Sequence, residues 1–329
     1  MMAMPRSPRR LRLAALRRLH PVSRRRRAYQ RAMQVAMGIG IDGLLSRAVA
    51  DPLQGPVEGG IGPVLREIGS LLQEPGVTAA VVWPPEAGRG RVYLHLFDRS
   101  CRPVAFAKLS LDDANDDRLD HEASILTELS RTHTAALHVP AVLGRATVAG
   151  HRVMVTEPLP ADAQPIPARR DAFPAACVEA FAGEARHVSG QDLGALSWWP
   201  AYRRHLDGHG RAFDKELQAL AAGGVAVRRA HGDFGPSNIF ETPEGLWVLD
   251  WEHSASDAPI LADEITFDMG VNARRIATDP AGALREFARR RLRSADDAAR
   301  REILMALAFR AAAGPRDARS FIRQWGTLP

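Results

Sequence analysis

The feature that most constrains the fold of this chain is an ordered set of polar residues between positions 231 and 250. The segment reads His-Gly-Asp-Phe-Gly-Pro-Ser-Asn from His231 to Asn238, and Asp250 follows twelve residues later. Two short apolar runs with a turn-forming stretch between them separate Asn238 from Asp250, which predicts strand, tight turn, strand. The runs are Ile239–Phe240 and Leu246–Leu249, and the turn is 241–245. The hairpin is therefore expected to return Asp250 to the neighbourhood of Asn238.

Asp233, Asn238 and Asp250 supply an acid, an amide and a second acid in the order that phosphoryl transfer uses. The corresponding signature is H-x-D-x-x-x-x-N followed by a strand that ends in a metal-binding aspartate. Because three residue types at fixed spacing also occur by chance in a long chain, the motif requires support from elsewhere in the sequence.

The distribution of lysine gives this support. Of 44 basic residues only two, Lys108 and Lys215, are lysines. Lys108 lies in an apolar, strand-like run, Pro103–Leu109. An ammonium is a compact charge that suits a phosphate pair, whereas a guanidinium is a wide planar fork. Glu122, on the predicted helix that follows, is a candidate partner for Lys108, and Glu128 on the same helix and the nearby Asp120 are the alternatives. The alternative is a lysine on an edge strand with its ammonium in water.

Together these residues resemble the aminoglycoside phosphotransferase and choline kinase family, a branch of the protein-kinase-like fold. The string H-G-D-F-G-P-S-N-I-F is closer to this branch than to protein kinases, which carry His-Arg-Asp. Val248–Glu252 resembles the branch's I-D-W-E, and no Ala-Pro-Glu follows at a distance suited to an activation segment. The resemblance covers roughly residues 75–315 and implies ATP and Mg²⁺ as cofactors.

The resemblance also implies a role for each residue. Asp233 would orient the acceptor hydroxyl and accept its proton, and Asn238 and Asp250 would bind Mg²⁺ through hard oxygen atoms. Lys108 would contact the α- and β-phosphates of ATP, and Glu122 would orient Lys108.

Other residues near the motif are expected to support it. His231 is expected to fix the loop by a hydrogen bond rather than to transfer a proton. Asp263 resembles the branch's Asp-Leu element, which helps to hold the loop, although Glu264 follows it here. The backbone near Glu157 and Leu159 is the expected hinge, where it could contact an adenine edge.

A turn at Gly88 and Gly90 occupies the position of a phosphate-binding loop. It is not G-x-G-x-x-G, and the alternative is an ordinary hairpin turn.

The acceptor is predicted only as a small hydroxylated molecule: a sugar, an aminoglycoside or an amino alcohol. Two groups of charged residues give opposite indications. A cluster of acids would suit a polycationic aminoglycoside, and arginine runs would suit an anion. The acids are Asp257, Asp263, Glu264 and Asp268, and the arginine runs are at 274–275 and 289–293.

Composition limits the class of protein. The chain of 329 residues is long enough for two lobes with sizeable cores, and 46% hydrophobic content with 25% charged content is typical of a soluble globular protein. Cys101 and Cys177 are too few for a disulfide framework and have no zinc-binding spacing, so two reduced thiols in the cytoplasm are expected. No apolar run is long enough for an integral membrane segment, and the start is a poor secretory signal.

Positive charge is concentrated at the N-terminus. Residues 1–41 contain eleven arginines and no acid, so the other 288 residues carry 6 − 11 = −5 of the net charge of +6. Residues 1–31 are predicted to form a flexible or helical basic arm. Such an arm could contact an anionic membrane or nucleic acid weakly, or it could be a solvated terminus.

The predicted fold is α+β and bilobal, of the protein-kinase-like type, with a small five-stranded antiparallel lobe and a mostly helical large lobe. Residues 1–63 are assigned to the basic extension and linker, 64–159 to the nucleotide-binding lobe, and 160–329 to the catalytic and substrate-binding lobe. Helices are expected, among other places, at 172–187 and 258–276.

Three other functions compete with a small-molecule kinase. One is a catalytically inert, kinase-like nucleotide-binding module. The second is an adaptor that acts through the arginine-rich arm. The third, a protein kinase, is the weakest because the activation-segment motif is missing.

Overall fold

The computed structural model of the chain describes residues 2–3, 9–18, 30–32, 34–35, 61–82, 90–131, 136–205, 210–313 and 316–328. Most of the basic extension and linker assigned to residues 1–63, and Gly88 of the predicted phosphate-loop turn, lie outside these residues. The chain divides into two compact units. We call them the sheet unit, Met1–Arg131 with Val139–Pro165, and the helical unit, Thr132–His138 with Ile166–Pro329.

The sheet unit contains the five antiparallel strands that the sequence predicts, and the α+β fold class is confirmed. Their order across the sheet is β2-β3-β4-β6-β5, and a two-residue strand, β1, pairs antiparallel with the free edge of β2. The strands are β1 Met2–Ala3, β2 Thr78–Val82, β3 Arg91–Phe97, β4 Pro103–Ser110, β5 Val142–Val148 and β6 His151–Thr156, with a short β7 at Gln164–Pro165.

The two faces of this sheet differ because side chains alternate along each strand. One face is apolar and packs on helix α2, Gly62–Leu71, through Val64 and Ile68. Lys108 points to the opposite face. It lies on β4, the central strand of the five, opposite Tyr93 of β3 and Met154 of β6. The edge-strand alternative for Lys108 is therefore wrong.

Helix α3, Asp113–Leu129, follows β4 directly. Its N-cap is Asp112, whose carboxylate accepts the backbone N–H of Asn115 at 2.9 Å. This cap satisfies a backbone donor of the first turn and sets where the helix begins. With its start set in this way, α3 presents Glu122 on its buried side.

The N-terminal segment contains a helix, α1, at Arg9–Arg17. Its apolar side is buried at Leu11, Ala15 and Leu16, and it packs against Ala80 and Phe97 of the sheet unit. The predicted basic arm is therefore helical over Arg9–Arg17, and the apolar side of this helix is buried in the protein.

Replacing Leu11 by alanine is expected to lower the free energy of unfolding by about 2–4 kcal/mol, because the change leaves a cavity beneath a side chain that is 1% exposed. Urea denaturation of the variant, beside the exposed Arg10→Ala as a control, measures this. Equal stability of the two variants would show that α1 does not contribute to the core.

The described helices of the helical unit are α4 Ala175–Ala182, α5 Trp199–His205, α6 Arg211–Ala221, α7 Ala262–Val271, α8 Ala273–Thr278, α9 Pro280–Arg291, α10 Asp297–Ala312 and α11 Arg316–Gln324. Helix α10 is central, because it packs against α5, α6, α7 and α11. Short 3₁₀ turns lie at Arg170–Ala172, Gly190–Ala195, Trp251–His253 and Trp325–Thr327.

Two helices predicted for this unit are too long. Arg186–Val188 is a strand, β8, and Ala255–Pro259 is a strand, β12; both pair antiparallel with β9, Val225–Ala230. Helix α4 therefore ends at Ala182, and α7 starts only at Ala262. The pairing of segments distant in sequence overrides local helical preference here.

The hairpin predicted between Asn238 and Asp250 is present as β10, Ile239–Thr242, and β11, Gly245–Val248.

None of the described helices has the length and the apolar character needed to cross a membrane. Cys101 and Cys177 are both free thiols, and Cys177 is buried, which raises its pKa to about 12.

Candidate active site

One buried carboxylate holds the loop 231–238, which connects β9 and β10. Asp263, at the start of α7, accepts the backbone N–H of His231 at 2.9 Å and that of Gly232 at 3.0 Å. Burial raises the pKa of Asp263, while His231 and the two amides oppose that rise. The expected loop-holding role of Asp263 matches this geometry, and Glu264 instead forms an ion pair with Arg291.

His231 is fully buried, and both of its ring nitrogens have backbone partners. Nδ1 accepts the N–H of Asp233 at 3.1 Å, and Nε2 lies 2.9 Å from the carbonyl oxygen of Leu249. A carbonyl can only accept, so Nε2 carries the proton and the ring is neutral. Burial lowers the pKa of His231, which favours the neutral form. His231 is thus a structural link between the loop and the strand end, as expected.

Asp233 and Asn238 are in direct contact. The amide Nδ2 of Asn238 donates to the carboxylate Oδ2 of Asp233 at 3.0 Å and to its backbone carbonyl at 2.9 Å. Because both partners only accept, the nitrogen of the amide must face Asp233, and the oxygen Oδ1 must face away from it. Asp233 keeps 36% of its side chain exposed, so its carboxylate can still meet a ligand.

The hairpin brings Asp250 back beside this loop. Ile239 pairs with Val248, and the N–H of Leu249 donates to the carbonyl of Asn238 at 2.9 Å. Asp250 itself has φ 71° and ψ 59°, a left-handed conformation that is uncommon outside glycine and is best tolerated by Asn and Asp. Backbone strain of this kind collects at functional sites.

Gly232 is required by close backbone packing. It has φ +83°, and a Cβ built on it would lie 2.1 Å from the carbonyl oxygen of His253. Gly235, in the same loop, has room for a Cβ, whose nearest neighbour would be the Ser237 hydroxyl at 3.8 Å.

We expect Gly232→Ala to destabilise the protein by about 2–5 kcal/mol, from the left-handed conformation and the clash together. Gly235→Ala should change stability by less than about 1 kcal/mol. Thermal and urea unfolding of both variants test this contrast. If Gly232→Ala unfolds like Gly235→Ala, the packing of His253 on the loop is not as described.

Arg310, on α10, is a residue of this site that the sequence motifs did not indicate. Its Nη1 lies 3.4 Å from Oδ1 of Asp233, and its side chain is only 7% exposed. The available signal was the helix itself, because residues 303–311 are buried throughout and Arg310 is the one charged residue among them. A charge in such a run requires a partner inside the protein.

In the sheet unit, Lys108 and Glu122 form a buried ion pair. The Lys108 ammonium lies 2.7 Å from both carboxylate oxygens of Glu122, and the side chains are 8% and 3% exposed. The neighbouring acid Asp120 pairs instead with Arg145 and Arg152. The structure therefore brings together the lysine and the glutamate that the sequence analysis selected.

The predicted hinge lies at the end of β6. The backbone N–H of Glu157 donates to the carbonyl of Ala141, and its carboxylate accepts the N–H of Ala141 at 3.3 Å. The carbonyl of Leu159 accepts from the guanidinium of Arg18, which follows α1. Two of the backbone groups considered for an adenine edge, the Glu157 N–H and the Leu159 carbonyl, are therefore already hydrogen-bonded within the protein.

The four acids considered for a polycationic acceptor all have partners inside the helical unit. Asp257 accepts from the backbone and hydroxyl of Ser197, and Asp263 accepts from the loop amides. Glu264 and Asp268 are ion-paired with arginines: Arg291 for the first, and Arg170 and Arg290 for the second. The arginines of the run at 289–293 that form these pairs are neutralised in the same way.

No family model matches the chain, and no curated protein matches it. Three solved structures illustrate what it resembles. A protein from Thermobifida fusca assigned as a fructosamine-3-kinase is 17% identical, with 76% of this chain and 99% of that chain covered and a TM-score of 0.45. A choline/ethanolamine kinase family protein from Mesorhizobium loti is 15% identical, with coverages of 74% and 94% and a TM-score of 0.36.

The third is a glucosamine kinase in complex with glucosamine, ADP and inorganic phosphate. It is 17% identical, with 84% of this chain and 74% of that chain covered and a TM-score of 0.35. Membership of the aminoglycoside phosphotransferase and choline kinase family stays a prediction.

Proposed function

We propose that this protein is an ATP- and Mg²⁺-dependent kinase that phosphorylates a hydroxyl group of a small molecule. The observation that carries the proposal is the arrangement in the helical unit. Asn238 donates its amide nitrogen to Asp233, so the amide oxygen Oδ1 of Asn238 can face a metal. The backbone hydrogen bond from Leu249 to Asn238 places the next residue, Asp250, beside it.

The residues fit the group that the proposal requires. Magnesium favours oxygen ligands and is commonly bound by one or two protein side chains together with phosphate oxygens and water. Asn238 and Asp250 are such a pair. When bound, Mg·ATP would supply the phosphoryl group and the charge neutralisation for its transfer.

The protein residues then have distinct tasks. Asp233 orients the acceptor hydroxyl and takes its proton as the new oxygen–phosphorus bond forms and the bond to the ADP oxygen breaks. Lys108 binds the α- and β-phosphates, and Glu122 fixes its ammonium through both carboxylate oxygens. His231 and Asp263 hold the loop in place.

We further propose a sugar or an amino alcohol as the acceptor, rather than a polycationic aminoglycoside. Several uncompensated acids would be needed to bind a polycation. The four acids of the cluster that the sequence indicated, Asp257, Asp263, Glu264 and Asp268, are hydrogen-bonded within the protein or paired with arginines.

The experiment is an ADP-release assay of the purified full chain with Mg·ATP and a panel of hydroxylated compounds. The panel includes fructosamines, glucosamine, choline and ethanolamine, with kanamycin-type aminoglycosides as the polycationic arm. Asp250→Asn is the matched negative variant, because asparagine tolerates the left-handed backbone but lacks the charge. Turnover by the native chain alone supports the proposal.

Two results would contradict it. If nucleotides raise the melting temperature but no acceptor gives ADP, the inert nucleotide-binding module is favoured. If the Asp250→Asn variant turns over as fast as the native chain, Asp250 is not a metal ligand. Faster phosphorylation of aminoglycosides than of all sugars and amino alcohols would overturn the acceptor class alone.

A further inference from the structure

Arg310 is a buried charged residue of the helical unit that has no role in the function proposed above. It is 6% exposed and lies in the buried run 303–311 of α10, where alanine, leucine or phenylalanine fill the other positions near it. Arginine has no accessible neutral form, so this position keeps a full positive charge in the interior. Such a charge is strongly destabilising unless it is paired, so its contact deserves a functional explanation.

Arg310 contacts the proposed base. Its Nη1 lies 3.4 Å from Oδ1 of Asp233, and the Asn238 amide lies 3.0 Å from Oδ2 of the same carboxylate. Each oxygen of Asp233 therefore has a donor of its own, one from α10 and one from the loop. Two donors on opposite oxygens restrict rotation of the carboxylate about its last bond, which a single donor would leave free.

Arg310 also differs from the surface arginines of the same unit. Arg300, on the same helix, forms an ion pair with Glu216 and is 34% exposed, and Arg170 is 38% exposed. Asp233 is 36% exposed and can meet a ligand, whereas Arg310 lies behind it at 7%. Arg310 thus has access to the carboxylate but little access to a bound acceptor.

We propose that Arg310 is a positioning residue for Asp233, which holds the carboxylate in the orientation needed to receive the proton of the acceptor hydroxyl. The proposal rests on the kinase function proposed above. Arg310 keeps its own protons throughout, and it acts only through Asp233. A misplacement of about 1 Å in a catalytic group can lower a rate about 100-fold, so the effect falls on the rate of the chemical step.

The test compares Arg310→Met, Arg310→Lys and the control Arg300→Met in the full chain. Arg310→Met should lower kcat about 10- to 100-fold and leave KM for ATP within about twofold. Arg310→Lys should recover part of kcat, because it retains the charge but not the planar fork. Arg300→Met, which loses a partly exposed ion pair on the same helix, should leave kcat unchanged.

A double variant separates positioning from general stability. If Arg310 acts through Asp233, Arg310→Met should cause no further loss of kcat in an Asp233→Asn background, because the two changes remove one shared interaction. Additive losses would overturn the proposal. So would an Arg310→Met protein that has native kcat and only a lower melting temperature.

A crystal structure of Arg310→Met gives a readout that does not depend on turnover. The Asp233 carboxylate should rotate away from its native orientation while Asn238 and the loop backbone stay in place. An unmoved carboxylate would refute the positioning role. Absence of turnover in the native chain with every acceptor would instead contradict the proposed function, so the two failures can be told apart.

Discussion

Replacing Asp233 by asparagine is expected to lower kcat about 10²- to 10⁴-fold, while the affinity for nucleotide stays close to native. The reason is that asparagine preserves the size of the side chain but cannot accept the acceptor proton. Asp233→Asn also removes the carboxylate beside the buried guanidinium of Arg310, so some loss of stability is expected, and thermal unfolding shows whether the variant is folded under the assay conditions. ADP release measures kcat, and calorimetric titration with a nonhydrolysable ATP analogue measures the affinity.

The control for this variant is Glu241→Gln, which removes an exposed carboxylate from the neighbouring hairpin strand. It should keep native kcat. Equal activity of Asp233→Asn and the native chain would remove Asp233 from the role of base, and it would also remove the reason for Arg310 to be where it is.

Single replacements in the Lys108–Glu122 pair are expected to have the largest effect on stability. Lys108→Met removes the ammonium that contacts both carboxylate oxygens of Glu122, whose side chain is 3% exposed, and Glu122→Leu removes the carboxylate that contacts Lys108, whose side chain is 8% exposed. Breaking a buried pair from one side costs about 3–5 kcal/mol, because an uncompensated charge remains inside. Urea denaturation of each variant measures the loss.

The double variant Lys108→Met/Glu122→Leu should regain most of the stability that each single change removes, since apolar side chains can replace a buried pair. It should nevertheless have no measurable turnover and should bind ATP weakly. Recovery of both stability and activity would show that the pair is only a structural element of the sheet unit. Stability as low as in the single variants would contradict the assignment of the cost to an unpaired charge.

Residues close together in sequence, or in adjacent elements, could be placed without the structure. The sequence predicted the hairpin after Asn238, since a short turn between two apolar runs leaves few ways for the chain to continue. It also predicted the Lys108 strand and the helix that carries Glu122, although it offered Asp120 and Glu128 as further acids. Among the five strands of the sheet unit, Arg91–Phe97 was indicated by alternation of apolar and polar residues, and the Lys108 strand by an apolar run.

The second sheet could not be placed in this way. The strands at Arg186–Val188 and Ala255–Pro259 have no strong local signal, and they form because both pair with β9. Pairing between segments distant in the chain decided their structure. The helices predicted at 172–187 and 258–276 therefore overlapped these two strands. The partners of four acids could not be predicted either, because they lie on other elements. These acids are Asp257, Asp263, Glu264 and Asp268.

The sequence by itself determined which chemical groups the protein can offer: a carboxylate, an amide and a second carboxylate at a spacing that a hairpin closes, and one lysine on an apolar strand. It could do so because these groups are joined by short stretches of chain with local patterns. Only the tertiary structure decided what surrounds them. Arg310 is remote in sequence from Asp233, and it reaches the carboxylate because α10 packs in the middle of the helical unit. A charge buried there is stable only when it has a partner inside the protein.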